Sequence, residues 1–336
     1  MATMNTYQTI LNSISSNITL YMDYITLIFG TIGSIGNLIT FTNRQINQSS
    51  TIFYLKCASI FQLITILFCI IPRLTTDRYV SPASSDNILN QSAIFCKLRY
   101  YSSVIFPAIT SYYMVLTTFD RYLSTSNNAR TRAWCQLKIA RWISVSMTIT
   151  TILFSIHAVI FYDIYYKFCQ IAPNNIIYKF FFSAYLAIVV IFIPHVLMLI
   201  FTINTVLAIR KSRQRIKPAV IEGHTQNDRL RQRLELKLIK TIILQVILSV
   251  LLSLLRLGSY SYNIILNAVS TIADNNRVIV SFAVTIGGSL YFFSFATPFY
   301  VSILTSKFFR DGFYERILFI YRYCMREMIQ RNIIIN

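Results

Sequence analysis

YYSSVIFPAITSYYMVLTTFDRYLST, residues 100–125, begins as an uncharged run and ends on an acid beside an arginine. The run from 100 to 119 contains no Asp, Glu, Lys or Arg, and it has the length of about 20 residues that an α-helix needs to cross a bilayer. The stretch therefore predicts a membrane-spanning helix with Asp120, Arg121 and Tyr122 at one membrane surface. The triplet is either an ordinary polar helix end or a functional part of the molecule.

The composition of the whole chain also indicates a membrane protein. Of its 336 residues, 55% are hydrophobic and 13% are charged, whereas soluble domains carry about 25% charged residues. The net charge of +19 does not predict a nucleic-acid partner. The basic residues separate apolar runs and form no stripe interleaved with aromatic residues.

Seven apolar runs predict seven membrane-spanning helices. They cover residues 24–43, 51–74, 100–119, 142–162, 180–209, 241–263 and 278–306. The expected fold is therefore an all-α membrane protein, a seven-transmembrane helix bundle. Residues 1–23 are expected to form an extracellular N-terminus, 24–305 the seven-helix domain, and 306–336 an amphipathic eighth helix with a cytoplasmic tail.

The distribution of basic residues predicts the orientation. Most of the 31 Lys and Arg residues lie in the loops on the side of the C-terminus, and cytoplasmic loops carry the excess of positive charge. We therefore expect a multi-pass plasma-membrane protein with its N-terminus outside and its C-terminus in the cytoplasm. Asn17 and Asn90, each in an Asn-x-Ser/Thr pattern, are glycosylation candidates on the outer side.

The inner side is predicted to meet membrane lipid. The long basic loop at 211–237 is typical of a surface facing anionic lipid, although that interpretation leaves room for a second role. Residues 306–320 place aromatic and aliphatic side chains at helical spacing, which predicts a short amphipathic helix on the membrane surface. Cys324 follows it and is either a palmitoylation site or a free thiol.

No catalytic pattern stands out. His157, His195 and His224 lie in different segments without metal-ligand spacing, and no glycine-rich phosphate loop is present. We therefore predict no enzyme activity, no cofactor and no metal site.

Two cysteines are predicted to share the oxidising side of the membrane. Cys96 precedes the third span and Arg121 follows it, so about 38 Å of helix separates the outer and inner surfaces that they mark. Cys169 lies in the next outer loop. A Cys96–Cys169 disulfide would tie this loop to the third helix; two free thiols are the alternative.

These features, in this order along the chain, resemble a rhodopsin-like (family 1) G-protein-coupled receptor of the orphan or peptide type. The residues that carry the resemblance are Asn37 in GSIGN, the triplet Asp120-Arg121-Tyr122, the cysteines Cys96 and Cys169, Trp142, Pro194, Pro298 after Thr297, and Tyr300. The resemblance covers approximately residues 20–320. It implies signal transduction from an extracellular ligand to a heterotrimeric G protein.

Three positions depart from the pattern of the family. Gln62 stands where helix two normally carries an acid, so the sodium site of the family is not expected here. Leu255 replaces the proline of helix six, which removes an obligatory break in the hydrogen-bond ladder and predicts a straighter helix. Tyr300 comes two residues after Pro298 instead of three, which turns it by about 100° on a helix.

The resemblance implies a switch at the inner end. Arg121 is expected to pair with Asp120 and with Glu235 at the base of helix six. Activation would separate these helices and release Arg121 toward the G protein.

At the outer end, the residues favour an acidic ligand. Ser103 stands where amine receptors of this family carry an acid, so an amine is not expected. Arg99 and Arg256 are cationic candidates for ligand binding, together with Ser103. Arg256 either faces the pocket or extends toward the membrane interface. We favour a peptide with acidic groups or a free C-terminus. The alternatives are a seven-helix transporter or channel, and a receptor-like protein that no longer couples.

Overall fold

The computed structural model describes residues 2–42, 49–79, 92–126, 128–166, 168–215, 226–268 and 274–335. Almost all of these residues are helical, and the described strands form a single two-stranded hairpin. The described part of the protein is therefore all-α apart from this hairpin.

The helices follow one another along the chain with short connections. They are α1 (Ala2–Phe41), α2 (Ser50–Thr65), α3 (Ile71–Tyr79), α4 (Ala93–Ser124), α5 (Ala129–Arg132), α6 (Leu137–Ser155), α7 (His157–Phe161), α8 (Ile176–Tyr185), α9 (Ile193–Arg215), α10 (Gln226–Ala268), α11 (Asp274–Ser294), α12 (Pro298–Thr305) and α13 (Lys307–Ile335). The strands β1 (Tyr162–Tyr165) and β2 (Phe168–Ile171) lie between α7 and α8.

The helices have the length and apolarity of membrane spans. Within the described ranges, six are long and apolar enough to cross a bilayer, and the pair α11–α12, bent by 50°, adds a seventh if it counts as one span. The sequence-based expectation of an all-α, multi-pass membrane protein agrees with this architecture.

The first helix begins earlier than the sequence suggests. It starts at Ala2, and its apolar part starts at Ser13, upstream of the predicted boundary at Tyr24. Asp23, assigned above to the extracellular segment, is 1% exposed inside the bundle. The prediction treated Asp23 as the polar border of a span, whereas the structure compensates its charge with a partner on another helix.

Two spans contain a π-helical segment immediately before a proline. Ile66–Ile70 joins α2 to α3 ahead of Pro72, and Leu186–Phe192 joins α8 to α9 ahead of Pro194. Proline has no N–H to donate to the preceding turn, and a wider turn accommodates the carbonyl groups left over. One of these, the Val189 carbonyl, accepts a hydrogen bond from the Tyr112 hydroxyl at 2.9 Å.

The hairpin is fixed to α4 by a disulfide. Strands β1 and β2 pair antiparallel, with Ile164 opposite Cys169. Cys169 is bonded to Cys96 in the first turn of α4, with 5.6 Å between their Cα atoms. The predicted Cys96–Cys169 bridge is therefore present, and it holds the hairpin over one end of the bundle.

The sixth and seventh spans differ in regularity. Helix α10 runs without a break, as the absence of a proline near Leu255 predicts. The chain bends by 50° between α11 and α12, where Pro298 begins the second helix. Helix α13 then continues well beyond residue 320, the predicted end of the amphipathic helix, and the Phe309 ring packs edge-on against the Phe41 ring at 5.6 Å.

Candidate functional site

A cavity of 620 Å³ opens beneath the hairpin, at the end of α4 that carries Cys96. Its lining comes from most of the surrounding helices and from β1 and β2. All three ligand-binding candidates from the sequence, Ser103, Arg99 and Arg256, line it. Arg256 therefore borders the cavity in this structure, and its contact with a ligand stays a prediction. The volume lies in the range of about 300–1,000 Å³ that small-molecule sites occupy.

The lining of this cavity is cationic. Arg73, Arg99, Lys179 and Arg256 all contribute to it, and no Asp or Glu is among the described residues that line it. Asp23 offsets the charge of Arg73, but the basic side chains in this partly enclosed space still repel one another, and an anion within the cavity would reduce that repulsion. The lining is therefore chemically suited to a negatively charged group.

Aromatic rings and a hydroxyl hold Arg256 in place. Its guanidinium lies over the Tyr260 ring, 4.7 Å from the centroid, and 5.9 Å from the centroid of Tyr291. Its Nη2 donates to the Tyr260 hydroxyl at 2.6 Å. Such cation–π contacts orient a planar guanidinium without neutralising its charge. Within the described part of the chain, no carboxylate forms a salt bridge with Arg256.

Arg73 has a different environment because it pairs with a buried acid. Its Nε lies 3.0 Å from Oδ2 of Asp23, whose side chain is 2% exposed. Ser289 accepts a hydrogen bond from Nη2 of Arg73 at 3.1 Å and donates one to Oδ1 of Asp23 at 3.3 Å. This triad joins α1, α3 and α11 beside the cavity. A carboxylate this deeply buried requires such a partner, since an isolated buried charge is strongly unfavourable.

Two consecutive glycines set the position of the Arg256 side chain. A Cβ on Gly287 would lie 3.0 Å from both N and Cα of Arg256, so α10 and α11 meet there backbone to backbone. A Cβ on Gly288 would overlap Nη1 of Arg256 and lie 3.5 Å from Nη1 of Arg73. The guanidinium of Arg256 therefore occupies the space that a side chain at residue 288 would fill.

The hairpin forms the outer wall of the cavity. Gln170 and Ile171 on β2 line it, and the Tyr162 ring on β1 stacks on Tyr100 with 3.8 Å between centroids. Lys97 and Asp163 form an exposed ion pair at 3.3 Å outside the cavity lining. The hydrogen bond from the backbone N–H of Ile164 lowers the pKa of Asp163, and Lys97 lowers it further by a smaller amount.

The Asp120-Arg121-Tyr122 triplet lies at the opposite end of α4. The carboxylate of Asp120 accepts hydrogen bonds from the hydroxyls of Ser50, at 2.6 Å, and of Thr51, so helix α2 holds it. Arg121 is 7% exposed, and its Nη2 donates to the Ser49 hydroxyl at 3.4 Å.

Side chains from three helices surround Arg121. Thr118 of α4, Thr202 and Thr205 of α9, and Ile239 and Ile242 of α10 border the same small space as its side chain. Tyr122, at 36% exposure, stacks on Phe201 of α9 with 6.0 Å between centroids. The side chain of Glu235 lies outside the described residues, so the expected Arg121–Glu235 pair stays a prediction.

The residues that carry the resemblance occupy varied environments. Asn37 and Gln62 are each 3% exposed, and each has a buried side-chain carbonyl oxygen without a hydrogen-bond partner among the described residues. Trp142, by contrast, is 71% exposed on the outside of α6. Tyr300 donates a hydrogen bond to the Phe29 carbonyl at 3.0 Å, so its side chain is directed at α1.

The modification candidates are only partly described. Asn17 is exposed on α1. Asn90 and the side chain of Cys324 lie outside the described residues. No group of three or more His, Cys, Asp or Glu residues in the described ranges is arranged to hold a metal ion.

Sequence reasoning missed part of the cavity. Asp23 is the only charged residue among residues 1–43, and this isolation within an otherwise uncharged segment is a signal that it has a buried partner. The pair Gly287-Gly288 within an apolar run is a signal of close helix contact. The sequence already groups Arg73 and Lys179 with Arg99 and Arg256 as basic residues of the predicted outer side, but which of the basic residues there line the cavity depends on the tertiary fold.

No protein-family model matches this chain, and no curated protein shows significant similarity to it.

Proposed function

We propose that this chain is a plasma-membrane receptor of the rhodopsin-like, G-protein-coupled type, with seven spans and an extracellular N-terminus. Its ligand is an extracellular anionic molecule, and we favour a peptide with acidic side chains or a free C-terminus. The observation that carries the proposal is the cation-lined cavity under the disulfide-linked hairpin. It lies at one end of α4, while the Asp120-Arg121-Tyr122 triplet lies at the other end.

The surroundings of Arg121 support a role in coupling. Its side chain is buried where α4, α9 and α10 meet. Movement of α10 away from α4 would expose this arginine and open a cleft for a heterotrimeric G protein. Ligand at one end and G protein at the other would then bias the same two-state arrangement of helices.

The membrane-surface elements complete the proposal. Helix α13 lies on the cytoplasmic face of the bilayer as an eighth helix and meets membrane lipid there. Its Phe309 side chain, 3% exposed, is packed against Phe299 with 6.1 Å between ring centroids, and this contact anchors the start of the helix to the bundle. Cys324 is the proposed palmitoylation site on this helix.

A peptide screen with G-protein biosensors tests the receptor function. Acidic peptides are compared with versions whose side-chain acids and C-terminus are amidated, on cells that express the chain. We expect G-protein activation by acidic peptides, with loss of the response in Arg256→Gln and retention in Lys97→Gln, a cation outside the cavity. Activation by neutral peptides to the same extent would contradict the anionic ligand, and silence of every biosensor would contradict the receptor.

The expected Arg121–Glu235 ion pair gives a second test. If Glu235 pairs with Arg121, Glu235→Gln removes an ion pair of the closed state and should raise ligand-independent signalling. Basal biosensor activity is measured at matched surface expression, with Glu315→Gln on α13 as the control. Unchanged basal activity in Glu235→Gln would count against an Arg121–Glu235 ion pair in the closed state.

A transporter of organic anions is the second candidate function. The break of 50° between α11 and α12 and the buried carboxylates of Asp23 and Asp120 resemble the interrupted helices and buried acids of secondary transporters. Uptake of a labelled anion without G-protein activation would favour this candidate. Binding of peptide with neither flux nor activation would identify a receptor-like protein that no longer couples.

A further inference from the structure

Two guanidinium groups converge at one point in the cavity. Nη1 of Arg256 fills the space above Gly288, and Nη1 of Arg73 lies 3.5 Å from the Cβ position of the same glycine. The two arginines come from α10 and α3, and both border the same cavity. Like charges at this separation repel each other, so neighbouring groups must stabilise the two guanidinium groups in this arrangement.

The neighbours of the two arginines leave this arrangement electrostatically uneven. Asp23 contacts Arg73 through Nε, Ser289 accepts a hydrogen bond from Nη2, and Nη1 lies 3.5 Å from the Cβ position of Gly288. Arg256 is held by the Tyr260 hydroxyl, by the Val284 carbonyl, which accepts from Nη1 at 3.5 Å, and by aromatic rings, none of which carries a negative charge. Arg73 thus has a carboxylate beside it, whereas the contacts of Arg256 among the described residues are with neutral groups.

We propose that an oxyanion of the ligand, a carboxylate or a phosphate group, binds between Arg73 and Arg256 above Gly288, and that Asp23 is a built-in competitor for Arg73. An oxyanion can accept charge-assisted hydrogen bonds from two guanidinium groups at once, which a neutral group cannot do with equal strength. Its binding adds a second carboxylate-like partner to Arg73 and weakens the hold of Asp23.

The site has a direct consequence for the helices. Asp23 and Ser289 attach Arg73 to α1 and α11, whereas Arg256 belongs to α10. An oxyanion shared by the two arginines would tie α10 to α3 and α11 at this end of the bundle. This inference rests on the proposed function, because it names the chemistry that the proposed ligand presents to the cavity.

Thermal unfolding of the full chain in lipid nanodiscs tests the site without any signalling readout. The probes are citrate, for carboxylates, and inorganic pyrophosphate, for phosphates, with ionic strength held constant by sodium chloride. We expect the Tm of the wild type to rise with at least one probe, because a ligand that binds only the folded state stabilises it. Citrate alone or pyrophosphate alone would identify which oxyanion the site accepts.

Variants make the test specific. Arg256→Gln should abolish the shift in Tm, and Lys97→Gln, which removes a cation paired with Asp163 outside the cavity, should retain it. Asp23→Asn should lower the half-maximal probe concentration by about fivefold, since it removes a competing charge. Gly288→Ala keeps every charge, displaces the Arg256 guanidinium and should raise the half-maximal concentration; it provides the decisive comparison if Asp23→Asn does not fold.

Three results would overturn the proposal: no shift in the wild type with either probe, an equal shift in Arg256→Gln, or an unchanged midpoint in both Asp23→Asn and Gly288→Ala. The receptor function and the oxyanion site can be refuted independently of each other. A response of the biosensors to acidic peptides without the Tm effects would refute the oxyanion site alone, and Tm effects with silent biosensors would refute the receptor alone.

Discussion

At the scale of single residues, the environment of Asp120 differs from what the triplet by itself predicts. The predicted Arg121–Asp120 pair stays a prediction, and the Asp120 carboxylate accepts hydrogen bonds from the hydroxyls of Ser50 and Thr51, which the sequence does not predict. Asp120 therefore also links α4 to α2. The link depends on tertiary contact between residues far apart in the chain, so the spacing of the triplet could not reveal it.

This link gives a stability prediction. Asp120→Ala removes the acceptor of the buried Thr51 hydroxyl, whereas the Ser50 hydroxyl still has the Cys135 carbonyl at 3.2 Å. The change should cost about 1–3 kcal/mol for the unsatisfied group, seen as a lower Tm in nanodiscs. Asp163→Ala is the matched control, because that carboxylate is exposed and should change stability by less than about 0.5 kcal/mol. Equal Tm values for the two variants would show that the Asp120 contacts contribute nothing.

Arg256 shows what residue-level reasoning can and cannot supply. A single arginine within an apolar run predicts a functional side chain, and the structure does place it in the cavity. Its hydrogen-bond partner Tyr260 is four residues along the same helix, so this contact follows from helical periodicity. Its convergence with Arg73 over Gly288 does not, because three separate helices create it.

At the scale of secondary structure, the spans were predictable because apolar length alone specifies them. Their irregularities were less so. The π-helical segments at Ile66–Ile70 and Leu186–Phe192 depend on how neighbouring helices satisfy the carbonyls near a proline. The early start of α1 escaped prediction because Asp23 reads as the polar end of a span until Arg73 is known to face it.

The contact between α10 and α11 gives a prediction at this scale. Gly287→Ala would place a Cβ 3.0 Å from the backbone of Arg256, so the two helices must separate, and we expect a lower Tm. Gly258→Ala on α10 is the control, because nothing lies within 4 Å of its Cβ position and alanine favours the helix. Its Tm should stay the same or rise. A Tm for Gly287→Ala as high as that of Gly258→Ala would contradict the close contact.

At the scale of the whole molecule, the two ends of the bundle differ in chemistry. One end carries the disulfide, the hairpin and the cationic cavity, and the other carries the triplet. The basic residues predict which end faces the cytoplasm, but the orientation is established only when the protein is inserted in a membrane. The orientation is thus a property that sequence patterns propose and an accessibility experiment decides.

Labelling with a membrane-impermeant maleimide tests this orientation. In a background with Cys135 and Cys324 replaced by serine, Ile177→Cys should react on intact cells because residue 177 is 86% exposed near the hairpin. Lys240→Cys, on the exposed surface of α10 near the triplet, should react only after permeabilisation. The reverse pattern would place the cavity on the cytoplasmic side and exclude an extracellular ligand.

The continuity of α1 has a practical consequence. The helix runs from Ala2 to Phe41, about 60 Å, with Asp23 near its middle. Because the helix is continuous, a displacement of its N-terminal half is transmitted to Asp23, the ion-pair partner of Arg73. A nanobody that binds α1 upstream of Ser13 would act on Asp23 through this continuous helix without entering the cavity. Under the proposed function, reagents raised against this segment are a route to tuning the affinity for an anion.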